Sequence, residues 1–274
     1  MNVLRSRLWL AACAAATATT LAVHAQTPAR SELINALRLA IDRGELLFLY
    51  DRAAWLGTDD FRNHYAHLMS QAGGYVVSGD ESRTDLAFYD KSQSKAVYRA
   101  TFALGKLTNS GPPAADRVEL TPLEKRLIHA KEKGLAAFRE AKVGLCADAN
   151  PNLAAIPSTA PDGSVIVYLM TPQTDLKSYP LGGHFSVEIS QDGAVGKVRH
   201  FTKSCISMPL NQVPKGAEPR AFVITHLLDS TPTEIHVFTS LASKVPLVVV
   251  TSPDGRMWSV EGSRITRGES VLKK

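Results

Sequence analysis

From residue 164 onward, short runs of β-branched and aromatic residues alternate with breaks rich in Gly, Pro and Asp. Such a pattern leaves little room for long helices and asks for strands that pair with their neighbours in the chain. The runs are 164–170, 184–189, 194–202, 221–228, 233–240, 246–251 and 257–262. "SQDGA" and "SPDGR" place Asp-Gly between two pairs of them, a strong short-range hairpin signal. About seven antiparallel strands are therefore expected in the C-terminal part.

The first half reads differently. Ser31 is a good N-cap, and Leu33, Leu37, Ala40 and Ile41 recur at helical spacing, with Gly44 as the expected stop. A second helix is expected from a cap at Thr58 or Asp59 to Gly73-Gly74. Strands are expected at 74–79, 85–90 and 96–105, followed by a loop, "KLTNSGPPAADRVE". The strongest helix signal lies in "LTPLEKRLIHAKEKGLAAFREAK": Thr121 caps, Pro122 opens the first turn and Glu124 completes a capping box. Helices and three strands followed by a run of strands make an α+β chain, because strands and helices do not alternate in the second half. The parts are 26–144, an irregular connection at 145–163, and 164–274. The two larger parts form separate domains or one continuous one.

The N-terminus reads as an export signal. Arg5 and Arg7 precede an apolar run from Leu8 to Val23, and Val23-His24-Ala25 has the small residues that a signal peptidase requires, so cleavage is expected after Ala25. "LAAC" at Leu10–Cys13 resembles a lipidation signal. Apolar sequence continues past Cys13, which places the cysteine inside the hydrophobic region instead. No later segment is apolar enough to span a bilayer. Cleavage would remove Arg5 and Arg7 of the 31 basic residues and no acid, leaving 29 against 26, a net of +3. That balance, with no basic run, argues against a nucleic-acid partner. Cleavage would also leave two cysteines, Cys146 and Cys205, and an oxidising destination predicts a disulfide between them. The rival is a reactive thiol with a histidine base.

Chemistry-bearing residues concentrate in "THLLDSTPTEIHVF", residues 225–238, read as a hairpin. Glu234 and His236 then share a face. A five-residue loop, 229–233, brings His226 opposite His236 and completes a ligand set of two imidazoles and a carboxylate, suited to Zn. A four-residue loop, 229–232, puts the histidines on opposite faces and gathers Phe222, Ile224, Leu228, Ile235 and Val237 on one side. The apolar pattern favours this second register. Asp229 caps the turn. His184 follows Gly182-Gly183, which allow positive φ or a close backbone approach beside a ligand. Asp60, His64 and His67 fall on one helical face as a solvated polar stripe. Asp51 and Arg52 can pair or bind a ligand beside Trp55, and Trp55 is itself expected to be buried. P-loop, GxGxxG, GxSxG and paired CxxC motifs are absent from the sequence.

"YPLGGHFSVEISQDG", "HFTKSC" and "THLLDSTPTEIHVF" resemble stretches of uncharacterised exported proteins of Gram-negative bacteria. The resemblance implies export and a cell type, and no activity, cofactor or site. The expectation is a periplasmic or secreted protein that acts without catalysis, binding a small ligand or another envelope protein through residues among His184, His226, Glu234 and His236. The alternative is a Zn-dependent hydrolase using His226, Glu234 and His236.

Overall fold

The structure, a computed structural model, describes residues 30–158, 162–210, 221–252 and 254–272. The expected signal peptide and Cys13 lie outside the described residues. The fold is mixed α+β, with three antiparallel or mixed four-stranded sheets packed around two long helices and a short one.

The first helix, α1 (Arg30–His64), runs through Gly44 and does not stop there. Gly in a helix interior costs about 1 kcal/mol relative to Ala. The reason it is placed here lies outside the helix. A Cβ at Gly44 would sit 2.5 Å from Val237 Cβ and 2.8 Å from Glu234 O, so only Gly lets another helix cross this closely. The expected second helix starting at Thr58 or Asp59 is part of the same α1, and Thr58 Oγ1 donates to Ala54 O within it. A 3-10 turn, Ala66–Gln71, follows. His67 lies in that turn and not on the α1 face of Asp60 and His64. His64 Nδ1 is 3.0 Å from Asp60 Oδ1, and Tyr98 donates to Asp60 at 2.7 Å.

β1 (Ala72–Gly79), β2 (Thr84–Asp90) and β3 (Ala96–Ala103) form where expected. β4 (Lys106–Gly111) adds a fourth strand in the stretch expected to be loop. Leu104 and Gly105, both at positive φ, turn β3 back on itself. α2 (Pro122–Glu140) has the full capping box: Thr121 accepts from Glu124 N and Glu124 Oε2 accepts from Thr121 N. Glu124 also forms a bidentate pair with the buried Arg99. One residue therefore caps the helix and anchors it to β3.

The connection expected to be irregular contains β5 (Asn152–Pro157). β5 pairs with β6 (Val165–Met170), β6 with β8 (Phe185–Ile189), and β8 with the two-residue β9 (Arg199–His200). Most of the expected strand 194–202 is thus absent. β7 (Ser178–Pro180) pairs with β10 (Ser207–Pro209).

The largest correction concerns 225–238. β11 (Phe222–His226) does not turn back as a hairpin. It leads into α3 (Glu234–Ser243), which returns the chain to β12 (Leu247–Thr251), and β11 pairs with β12 in parallel. The question of a four- or five-residue loop register therefore falls away, and the second half is not an all-antiparallel run. Every residue from Glu234 to Ser240 is buried, packed between α1 and the sheet. A helix buried around its whole circumference need show no 3.6-residue apolar stripe, and this one, with polar and apolar residues alternating at its start, reads as a strand. β13 (Arg256–Glu261) and β14 (Arg264–Ser270) complete this sheet in the order β11-β12-β13-β14.

The core is shared across the chain. Leu47 and Phe61 of α1, Phe88 and Tyr98 of the first sheet, Tyr168 of β6 and Val249 and Trp258 of the last sheet lie in one cluster. α2 covers the other face of β6 with Leu127, Ile128 and Phe138. Among the described residues, no helix is long and apolar enough to cross a membrane.

Candidate functional site

The parallel β11–α3–β12 arrangement sets the level at which α3 begins. It places the first turn of α3, which carries Glu234 and His236, beside the end of β11, where the His226 and His236 rings meet. A carboxylate there is favoured by the helix dipole. Glu234 Oε1 accepts from Tyr168 Oη at 3.0 Å and from Arg199 Nη1 at 3.4 Å, and lies 3.9 Å from Arg43 Nη1. Arg199 also donates through Nη2 to Asp229 Oδ1 at 3.1 Å, and His226 Nε2 donates to Asp229 Oδ2 at 2.8 Å. Burial pushes the Asp229 carboxyl up, but the hydrogen bonds from His226 and Arg199 outweigh it and hold the group below the usual carboxylate range. Phe201 carries the Arg199 guanidinium over its ring at 4.5 Å and stacks on Tyr168 with centroids 6.2 Å apart. The result is a connected network from α1 through Glu234 to Asp229.

His236 meets His226 edge-on, with ring centroids 4.8 Å apart. Its Nδ1 accepts the backbone N–H of Thr233 at 3.0 Å, the half of a capping box usually supplied by Glu or Gln. Burial lowers its pKa to about 3. His184 is satisfied in the same manner: Nδ1 accepts from Thr171 N at 3.2 Å and Nε2 donates to Pro180 O at 3.2 Å. Burial brings His184 to about 4.

Among the described residues, no three His, Cys, Asp or Glu side chains converge as a cation requires. Of His226, Glu234 and His236, the two histidines are in ring contact. Glu234, however, is committed to two arginines and a tyrosine, and His236 Nδ1 to a backbone N–H. The thiol reading also falls, because Cys146 and Cys205 form a disulfide with Cα atoms 5.4 Å apart. Gly182 and Gly183 serve that bridge: Gly183 has φ +74, and a Cβ on it would meet Cys146 Sγ at 2.5 Å.

His184 stands apart from the network, in the wall of a groove of about 610 Å³ between α1 and the β6–β7 segment. Trp55, expected to be buried, is 58% exposed at this groove, with the Arg52 guanidinium 4.6 Å over its ring. Asp51, Met170, Tyr179 and Phe238 contribute to the lining. Asp51 is raised to about 6 by burial, with Arg52 pulling the other way. Asp51 also borders a small cavity of about 20 Å³ shared with Lys131, room for a single water molecule. A second groove of about 690 Å³ opens on the other side of the charged network, lined by Lys197, Arg199, His200, Lys203, Leu228 and Asp229 among others.

The chain matches no protein-family model, no curated protein and no solved structure.

Arg199, Tyr168 and Arg43 were missed by sequence reading. Tyr168 carried a signal: a phenol in the otherwise apolar run "VIVYLM" must find a buried partner. Arg43 and Arg199 carried none, since their partner is far away in the chain.

His184 and His236, whose pKa values burial lowers, make stability depend on acid. Between pH 6.5 and their folded values, the unfolded chain takes up protons that the folded chain refuses, so stability falls as pH falls. Each histidine contributes about 1.4 kcal/mol per pH unit. Asp51 has the opposite sign, because the folded state holds its proton more tightly between its unfolded value and about 6. The net expectation is a loss of about 1.4 kcal/mol per unit from pH 6 to pH 4.5. Urea midpoints across that range check it. His236→Leu should flatten the slope to near zero, and an unchanged slope in this variant would refute the assignment.

Proposed function

We propose that this chain is an exported, non-catalytic binding protein of the cell envelope, and that its ligand lies in the groove beside Trp55. The observation that carries this reading is Trp55 itself. A large apolar ring, 58% exposed and held by Arg52 at a groove of about 610 Å³, is a ready stacking surface. The lining adds Tyr179, Met170 and Phe238 as apolar contacts and the Asp51 carboxyl as a polar anchor. Charge is balanced there: Asp51 with Arg52, and Asp59 with Arg62 at 3.3 Å. This suits a small amphipathic molecule with a planar or apolar face and a hydrogen-bond donor. The disulfide and the leader-like N-terminus support export.

Acrylamide quenching tests the reading, because the other described tryptophan, Trp258, is only 2% exposed and contributes little. Protein purified natively from a periplasm should show Trp55 shielded, and protein unfolded, dialysed and refolded should show it open. Mass spectrometry of the dialysate should contain the released molecule. Trp55→Ala should lower affinity for it at least tenfold. Equal quenching before and after stripping, with nothing released, would defeat the proposal.

A further inference from the structure

We infer that the second groove, between β9 and the turn after β11, binds the phosphate group of an anionic membrane lipid and holds this face of the protein at a bilayer surface. It shares no lining residue with the Trp55 groove. Lys197, Arg199, His200 and Lys203 line it against a single carboxylate, Asp229. That carboxylate is already engaged, because Arg199 donates to one of its oxygens and His226 to the other. Neither Lys197 nor Lys203 forms an ion pair with any described residue, so two positive charges face the groove without a counter-ion from the protein. Arg199 adds a third cation, one paired with Asp229 and Glu234 and seated on Phe201, so little of its conformational freedom remains to be lost on binding.

Phosphate could come free or on a lipid headgroup. The neighbouring apolar residues favour the lipid. Leu228 lines the groove and is 39% exposed, Leu227 is 54% exposed, and Val195 is 48% exposed two residues before Lys197. Exposed aliphatic side chains beside lysines are the pattern of a surface that rests at the headgroup boundary, where apolar contact and attraction to anionic lipid add together. The groove, about 690 Å³, is far larger than one phosphate ion and has room for a headgroup with its glycerol.

Sedimentation with vesicles of phosphatidylcholine, with and without phosphatidylglycerol, tests the proposal on the full mature protein. Binding is expected only to the anionic vesicles. Lys197→Ala/Lys203→Ala should weaken it about thirty-fold, from the usual contribution of a lysine near an anionic surface. Both lysines are at the surface, and a circular dichroism spectrum confirms that the variant is folded. Leu228→Asp should weaken vesicle binding, and Trp55→Ala should leave vesicle binding intact. Displacement from vesicles by low millimolar inorganic phosphate would show that the groove holds the free ion and would overturn the lipid assignment. No selectivity for anionic vesicles, or undiminished binding by the double lysine variant, would overturn the site altogether.

Discussion

Glu234→Ala should destabilise the folded protein by about 4 kcal/mol, within the range found when one partner of a buried ion pair is removed. The Glu234 side chain is only 4% exposed, and its carboxylate is the acceptor on which Arg43, Arg199 and Tyr168 converge. Arg199 is the smaller part of the effect, since it is partly solvated and keeps Asp229. Arg43, whose side chain is 22% exposed, keeps some solvent but has no second carboxylate, and the fully buried Tyr168 hydroxyl would lose its acceptor in a dry interior. Tyr168→Phe alone should cost only about 1 kcal/mol, because it removes a donor and leaves no charge unpaired. The double variant should then cost less than the sum of the two, since with Glu234 gone the Tyr168 hydroxyl is itself a burden. Urea midpoints at constant m-value measure all three. A loss below about 1 kcal/mol for Glu234→Ala would mean that water reaches the network and that the pairing is energetically slight.

The second large effect is expected at the disulfide. Cys146→Ser/Cys205→Ser should cost about 4 kcal/mol, the chain-entropy value for a loop of this size, the two residues being 59 apart in sequence. The consequence should also be local. Gly183 runs so close to Cys146 Sγ that no side chain fits between them, and the next residue is His184 in the wall of the Trp55 groove. Hydrogen exchange should therefore speed up at the Gly182–His184 backbone and around β7 and β10 before it does so in β12 or α2. Uniform loss of protection across the chain would show that the bridge acts only on the unfolded ensemble.

Legibility followed the range of the interaction. α2 was readable in full because Thr121, Pro122 and Glu124 act on one another within four residues. Two Asp-Gly turns were readable for the same reason, at Asp192-Gly193 and Asp254-Gly255. The disulfide followed from cysteine count and the expected oxidising destination. The candidate site was only half readable. His226 and His236 do meet, yet the hairpin offered as the reason does not exist. The partners of Glu234, namely Arg43, Tyr168 and Arg199, come from other elements.

The misread helix shows why. "TEIHVF" alternates polar and apolar residues as a strand does, and its β-branched content points the same way. What makes it α3 is Gly44, almost two hundred residues earlier, whose missing side chain opens a slot on α1 for Val237. The helix is then enclosed on every side, and Glu234 and His236 become interior groups that must be neutralised or satisfied in place. The sequence by itself determined the local caps and turns, the α+β class and the cysteine pairing, because each depends on neighbours in the chain or on composition. The course of α1 through Gly44, the parallel pairing of β11 with β12, the exposure of Trp55 and the ion network around Glu234 were decided only by tertiary structure. Each is set by which surfaces exclude water from one another, and that depends on residues brought together from opposite ends of the chain.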